Sequence, residues 1–228
     1  MAKTAGGDSV RYGRINTEMI GRWLRLAPED DGPFGALNLM KYRDVADYGD
    51  GQTSARSGRD ADDEYTPLGP LAAVGASVAF AAEVERIVAG DGVTWDRIGI
   101  VRYPSRRKFF EMQQREDFKS KHVHKDAGME FTIVMSCLSV LPFEGAAGRH
   151  PYVELRVGAG AAAPASADAG VFEVEGVIVG DERTWGRASF RWLDSDGGAA
   201  AAAHDDASSY VMLLRPTVDR LTRSVREA

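Results

Sequence analysis

The 228-residue sequence has one cysteine, Cys137, and four histidines. A lone thiol excludes an intramolecular disulfide and a Cys-rich zinc site. No apolar run approaches the ~20 residues that a membrane-spanning helix needs. Residues 1–14 are polar and lack the apolar core of a signal peptide. Basic charge is also scarce: 28 Lys and Arg against 34 Asp and Glu leave a net charge of −6. That balance argues against a general nucleic-acid binder, because phosphate binding needs a basic field. No phosphate-cradling Gly loop, nucleophile elbow or metalloprotease motif occurs. These absences leave a small-molecule ligand as the expected partner, without nucleic acid or membrane, in a cytoplasmic protein. The composition itself is that of a folded chain, 44% hydrophobic and 27% charged, and the length suits one large or two small domains.

Periodicity places a helix over 15–26, ended by Pro28, Gly32 and Pro33, after a flexible lead over 1–13. A strand follows over 35–43, with Leu37 and Leu39 on one face and Asn38 and Tyr42 on the other. A helix over 59–74 contains Pro67 and Pro70, which mark a start or a kink. Strands over 76–88 and 95–103 form a hairpin, and Ser105 is positioned to cap a helix. Residues 131–141 read as a strand buried on both faces. The β-α-β-β-α-β order is that of a ferredoxin-like unit. Strands over 152–157, 171–179, 185–193 and 210–216, an alanine-rich helix over 197–209 and a terminal helix over 218–225 repeat that order more weakly. The expected fold is α+β: tandem ferredoxin-like units with a degenerate second copy. The divisions are an N-terminal extension (1–32), a first unit (33–142) and a second unit (143–228).

Three stretches, "GALNLMKYRDVADY", "YTPLGPLAAVGA" and "DRIGIVRYPSRRKFFEMQQREDF", resemble the DUF1330 group of the dimeric α/β-barrel superfamily. The correspondence covers residues 33–142 and includes Tyr65, Gly75 and Tyr103-Pro104-Ser105. The resemblance implies an eight-stranded barrel made of two ferredoxin-like sheets, closed within one chain or by a homodimer. It implies no single activity: cofactor-free monooxygenases, polyketide cyclases, lactone isomerases and haem proteins all share that architecture.

The sharpest local feature is "KSKHVHKDAGME", residues 119–130, with His122, His124 and Lys125. Imidazole titrates near neutral pH, so His122 and His124 are the expected catalytic acid and base. Asn38, Tyr42, Arg97, Tyr103 and Lys125 are the expected substrate-binding residues, chosen for strand parity and polarity within an apolar pocket. Two histidines in a His-x-His pattern converge on a metal only in extended chain, since a helix turns them about 200° apart. No cofactor is expected; a metal at the histidine pair, or haem at His204, is the cofactor-dependent alternative. Seven acidic residues over 44–64 and eight basic residues over 102–125 are read as solvated or mutually paired surfaces rather than as a substrate funnel. Cys137 is expected to be buried and inert. The expected function is His-based acid/base catalysis on an aromatic or polyketide-like substrate, as a cyclase, isomerase or cofactor-free monooxygenase. The competing reading is a non-catalytic ligand-binding or assembly protein.

Overall fold

The computed structural model describes residues 9–49, 51, 55–141, 150–160, 169–196 and 209–221. The lead is not a loose tail over its described part. It forms β1 (Ser9–Val10) and β2 (Gly13–Ile15), with Tyr12 buried between them. Next comes α1 (Thr17–Trp23), begun by Asn16, whose side chain accepts from the Met19 amide at 3.0 Å. The chain continues through β3 (Phe34–Tyr42), α2 (Gly58–Tyr65) and α3 (Leu68–Ala73). Pro67 separates the two helices, since proline cannot supply the amide an uninterrupted helix requires. Then come β4 (Ser77–Ala89), β5 (Arg97–Tyr103) and α4 (Arg106–Gln114). Ser105 caps α4 as expected, accepting from the Lys108 amide at 3.2 Å. Short helices α5 (Glu116–Lys119) and α6 (His122–Gly128) lead into β6 (Met129–Leu141). The remaining described elements are β7 (Tyr152–Gly158), β8 (Ala169–Gly180), β9 (Arg187–Leu193) and β10 (Tyr210–Asp219). Strand β10 runs through Val218 and Asp219, where a terminal helix was expected; the alanine-rich segment and His204 lie outside the described residues.

The strands form one sheet in the order β1-β2-β8-β6-β3-β5-β4-β10-β7-β9, and a further β8–β9 pairing closes eight of them into a barrel. Every pairing is antiparallel. This corrects the expected fold class. The chain is a mostly antiparallel, closed eight-stranded barrel, not tandem ferredoxin-like units and not a dimeric α/β barrel. The physical reason is edge pairing. Strands β4 and β6 find partners in β10 and β8, so the later strands complete the earlier sheet and leave it no open edge. Among the described residues, none after 150 forms an α-helix.

Strand alternation sorts the side chains. Leu37, Leu39, Phe80, Ile98, Ile100, Ile133 and Met135 point inward, where Leu155, Phe190, Tyr210 and Met212 meet them. An eight-stranded barrel has an interior just wide enough to be filled by such side chains. The opposite parity of β3, β5 and β6 faces a helical layer in which Met19, Trp23, Leu71, Val74, Met112 and Phe118 pack against Phe34, Ala36, Tyr103 and Val134. Strand β6 is thus covered on both faces, which accounts for its nearly continuous apolar sequence. Arg106 pins the layer: it is 2.9 Å from Glu175 and lies over the rings of Trp23 and Phe34. Burial pulls the Glu175 carboxyl up, but hydrogen bonds from Ser136, Arg106 and Trp23 outweigh it and hold the group below the usual range. Among the described residues no helix is long and apolar enough to cross a membrane.

Candidate functional site

A cavity of about 220 Å³ lies between the outer face of β3, β4 and β5 and the helices above it. Its floor is built from small residues. Asn38 pairs with Gly99 and Gly99 with Ala81, so a row across three strands projects little into the space above. The register grades its polarity. Phe34 pairs with Tyr103 at one end of the floor, beside Met112 and Leu71; Met40 pairs with Arg97 at the other, beside Asp62, His122 and Lys125.

Two glycines bring the polar groups together. Helices α2 and α6 cross at Gly58 and Gly128, and a Cβ on either would overlap the other's carbonyl oxygen. Arg43 ties the crossing, its amide donating to Gly128 O at 2.9 Å and its carbonyl accepting from Gly58 N at 3.1 Å. About one and two turns from the crossing, α2 presents Asp62 and Tyr65 to the cavity, and α6 presents Lys125 and His122. His122 and Lys125 share a face because they are three residues apart on a helix.

His122 Nε2 is 3.3 Å from the Tyr12 hydroxyl, and its ring is set edgewise to Tyr12 and Tyr65 and tilted against Phe118. Burial, reinforced by Lys125, lowers the His122 pKa against the opposing pull of Asp126. The imidazole is therefore uncharged at neutral pH. Burial raises the Tyr12 phenol well above its ordinary range. The Tyr12–His122 pair shares one hydrogen bond in either imidazole tautomer, which makes it a short path for a proton.

Lys125 Nζ sits 5.1 Å from the Tyr12 ring centre and 5.2 Å from that of Tyr65. Burial lowers its pKa, while Asp62 and Asp126 favour the ammonium. Asp62 is 6% exposed and accepts from the Tyr42 hydroxyl at 2.7 Å. Burial raises its pKa, opposed by the Tyr42 hydrogen bond, Lys125 and Arg97.

Of the expected residues, the structure gathers Asn38, Arg97, Tyr103, His122 and Lys125 around this cavity. They do not face the barrel lumen, which the opposite parity fills. Asn38 spends its amide nitrogen on the Ala36 carbonyl at 2.8 Å. Arg97 is occupied by Asp62, Asp63 and Glu83, at 3.5, 2.7 and 3.1 Å, so it braces the wall. Tyr103 stands at the apolar end, stacked on Phe34, with its hydroxyl 3.4 Å from Met112 Sδ. Tyr42 is outside the lining and reaches the site through Asp62. His124 is also outside it: the helix turns it away from His122, and its Nδ1 is 2.9 Å from the Tyr48 hydroxyl. The two histidines therefore do not converge, and no metal-holding group of three or more His, Cys, Asp or Glu occurs among the described residues.

Sequence reasoning missed the roles of Tyr12 and Asp62. Tyr12 lay in a segment read as a loose lead, and Asp62 in a run read as solvated. The available signal for Asp62 was its place beside Ala61 and four residues after Gly58, three buried positions of one short helix. Within the basic run Lys108–Glu111, Lys119–Glu116 and Arg115–Asp117 pair locally, whereas Asp47, Asp62 and Asp63 of the acidic run pair with the distant Arg11 and Arg97.

No family model and no curated protein matches this chain. Two solved structures are similar over a little more than half of it. The methylated RPA0582 protein is 26% identical with a TM-score of 0.49, covering 58% of this chain and 98% of its own. The RPA0582 protein of unknown function from Rhodopseudomonas palustris is 25% identical with a TM-score of 0.48, covering 57% and 98%.

Proposed function

We propose that this chain is a small-molecule enzyme that moves protons to and from carbon in the cavity between barrel and helices. The observation that carries the reading is His122: a neutral imidazole at the cavity wall, bonded to Tyr12 and beside Lys125. In this reading His122 takes a proton from a carbon next to a carbonyl group, and Tyr12 shares it. Lys125 meets the carbonyl, and Asn38 and Tyr103 position the rest of the molecule. The substrate class is an aromatic or polyketide-like compound of about one ring. An apolar cavity of about 150 Å³ holds benzene, and this one is about 220 Å³. Proton removal from carbon serves isomerase and cyclase chemistry and equally a cofactor-free monooxygenase, whose reaction with dioxygen starts from a carbanion. Residues 33–142 remain DUF1330-like in this reading, a group whose activity is itself unassigned.

The test is hydrogen exchange at the methyl group of acetophenone in D₂O, followed by proton NMR. Saturable exchange is expected, and His122→Gln should slow it by about 10²–10⁴-fold, the usual contribution of a positioned general base. His124→Gln should leave it unchanged. Binding of acetophenone without exchange would favour the ligand-binding reading instead.

A further inference from the structure

Lys125 differs from the other described lysines in having no polar partner. Lys41 donates to Thr94 at 2.8 Å, Lys108 to Glu111 at 2.7 Å, Lys119 to Glu116 at 2.8 Å and Lys121 to the Glu64 carbonyl at 3.0 Å. The Lys125 amine lies over the faces of Tyr12 and Tyr65, at the cavity wall, on the same helical face as His122, with Asp62 and Asp126 near enough to favour its ammonium but not in an ion pair with it. A lysine placed for structure alone ordinarily keeps its ammonium in water or in an ion pair. An amine held in no ion pair and set half-buried at a cavity wall is available as a nucleophile to a ligand bound there.

We propose that Lys125 forms an imine with a small aromatic aldehyde or ketone bound in the cavity. This deepens the acid/base reading above and rests on the same cavity. In the first step the amine nitrogen attacks the carbonyl carbon. The C–N bond forms, the carbonyl π pair moves to oxygen, and that oxygen takes up a proton while nitrogen gives one up. In the second step the C–O bond breaks and the C=N bond forms, and oxygen leaves with both former amine hydrogens as water. The Tyr12–His122 pair is placed to carry those protons. Once protonated on nitrogen, the imine draws electrons from the neighbouring carbon more strongly than the carbonyl it replaces, so a substrate with a hydrogen there loses it more readily to His122. The lowered Lys125 pKa supports the proposal, because the free-amine fraction grows about tenfold for each unit a pKa falls.

The experiment uses the full chain and benzaldehyde, which has no hydrogen on the carbon beside its carbonyl and so isolates the imine step. Sodium borohydride reduces any imine to a stable secondary amine, and peptide mass mapping locates the benzyl group. Labelling at Lys125 should clearly exceed that at the exposed Lys119 and the half-buried Lys121 at low benzaldehyde concentration. Lys125→Met should lose that label while keeping the wild-type circular dichroism spectrum; mapping the wild-type protein decides the matter if that variant misfolds. Label confined to surface amines, with the His122 NMR signal still shifted by benzaldehyde, would overturn the imine and leave the acid/base cavity standing. Neither label at Lys125 nor a shift at His122 would overturn both.

Discussion

The barrel lumen and the space under the helices are built by the same strands and differ in almost every other respect. The lumen is filled with Phe80, Phe190, Tyr210, Met212 and the leucines and isoleucines of β3 and β5. Its thiol, Cys137, is pushed up to about 12 by burial and is chemically quiet. On the other side of the same strands lie a cavity, a carboxyl, an amine, an imidazole and three phenols. Large side chains on one parity close the barrel, and small ones on the other, Ala36, Gly99 and Ala81, leave room beneath the helices. A closed barrel can thus keep its core for stability and its chemistry on the outer wall.

Breaking the lumen should cost the most. Phe190→Ala should lower unfolding free energy by about 3–5 kcal/mol in urea titration, while the folded fraction still binds benzaldehyde. Loss of binding at unchanged fold would mean that the two compartments are coupled. Gly128→Ala strikes the α2–α6 crossing. It should cost about 1–3 kcal/mol and, unlike Phe190→Ala, abolish acetophenone exchange in the protein that remains folded. Gly99→Val should separate the compartments most cleanly. Its Cβ has 3.4 Å to Met40 Cε, so the backbone tolerates it, and stability should rise by about 0.5–1 kcal/mol as a strand loses its glycine. Exchange and ligand binding should fall because the floor is raised into the cavity; unchanged binding would place the ligand elsewhere.

A smaller effect follows from His122. Its folded-state pKa is depressed, so below about pH 6.5 the unfolded chain binds a proton that the native imidazole refuses. Stability should therefore fall as pH drops through that range toward the native pKa, and rise again in the opposite direction. His122→Gln should flatten this part of the curve, measured as urea midpoints across roughly pH 7 to 5; identical slopes would show that the ring is not buried neutral. His124→Gln is the smallest change, expected within about 0.5 kcal/mol and silent in the exchange assay.

Much of the local structure was legible because it depends on neighbours in sequence. The alternation of Leu37 and Leu39 with Asn38, the Ser105 cap and the proline break at Pro67 each follow from a few adjacent residues, and the structure keeps all three. The same periodicity placed Asn38, Arg97 and Tyr103 in consistent parity, whereas the expected pairing of His122 with His124 fails because the helix turns them apart. What alternation leaves open is which side of a sheet becomes the inside. That was decided by β8 meeting β9, β4 meeting β10 and β6 meeting β8, pairings between residues far apart in the chain. Once the barrel closed, one parity became core and the other became wall. The recruitment of Tyr12 and Asp62, and the exclusion of His124, depended likewise on the close passage of Gly58 and Gly128 and on β2 joining β8. Sequence by itself determined which side chains share a face and which residue types are at hand for proton transfer, because those are matters of spacing. Only the tertiary structure decided which face holds the cavity and which of those residues meet in it, because that depends on long-range closure.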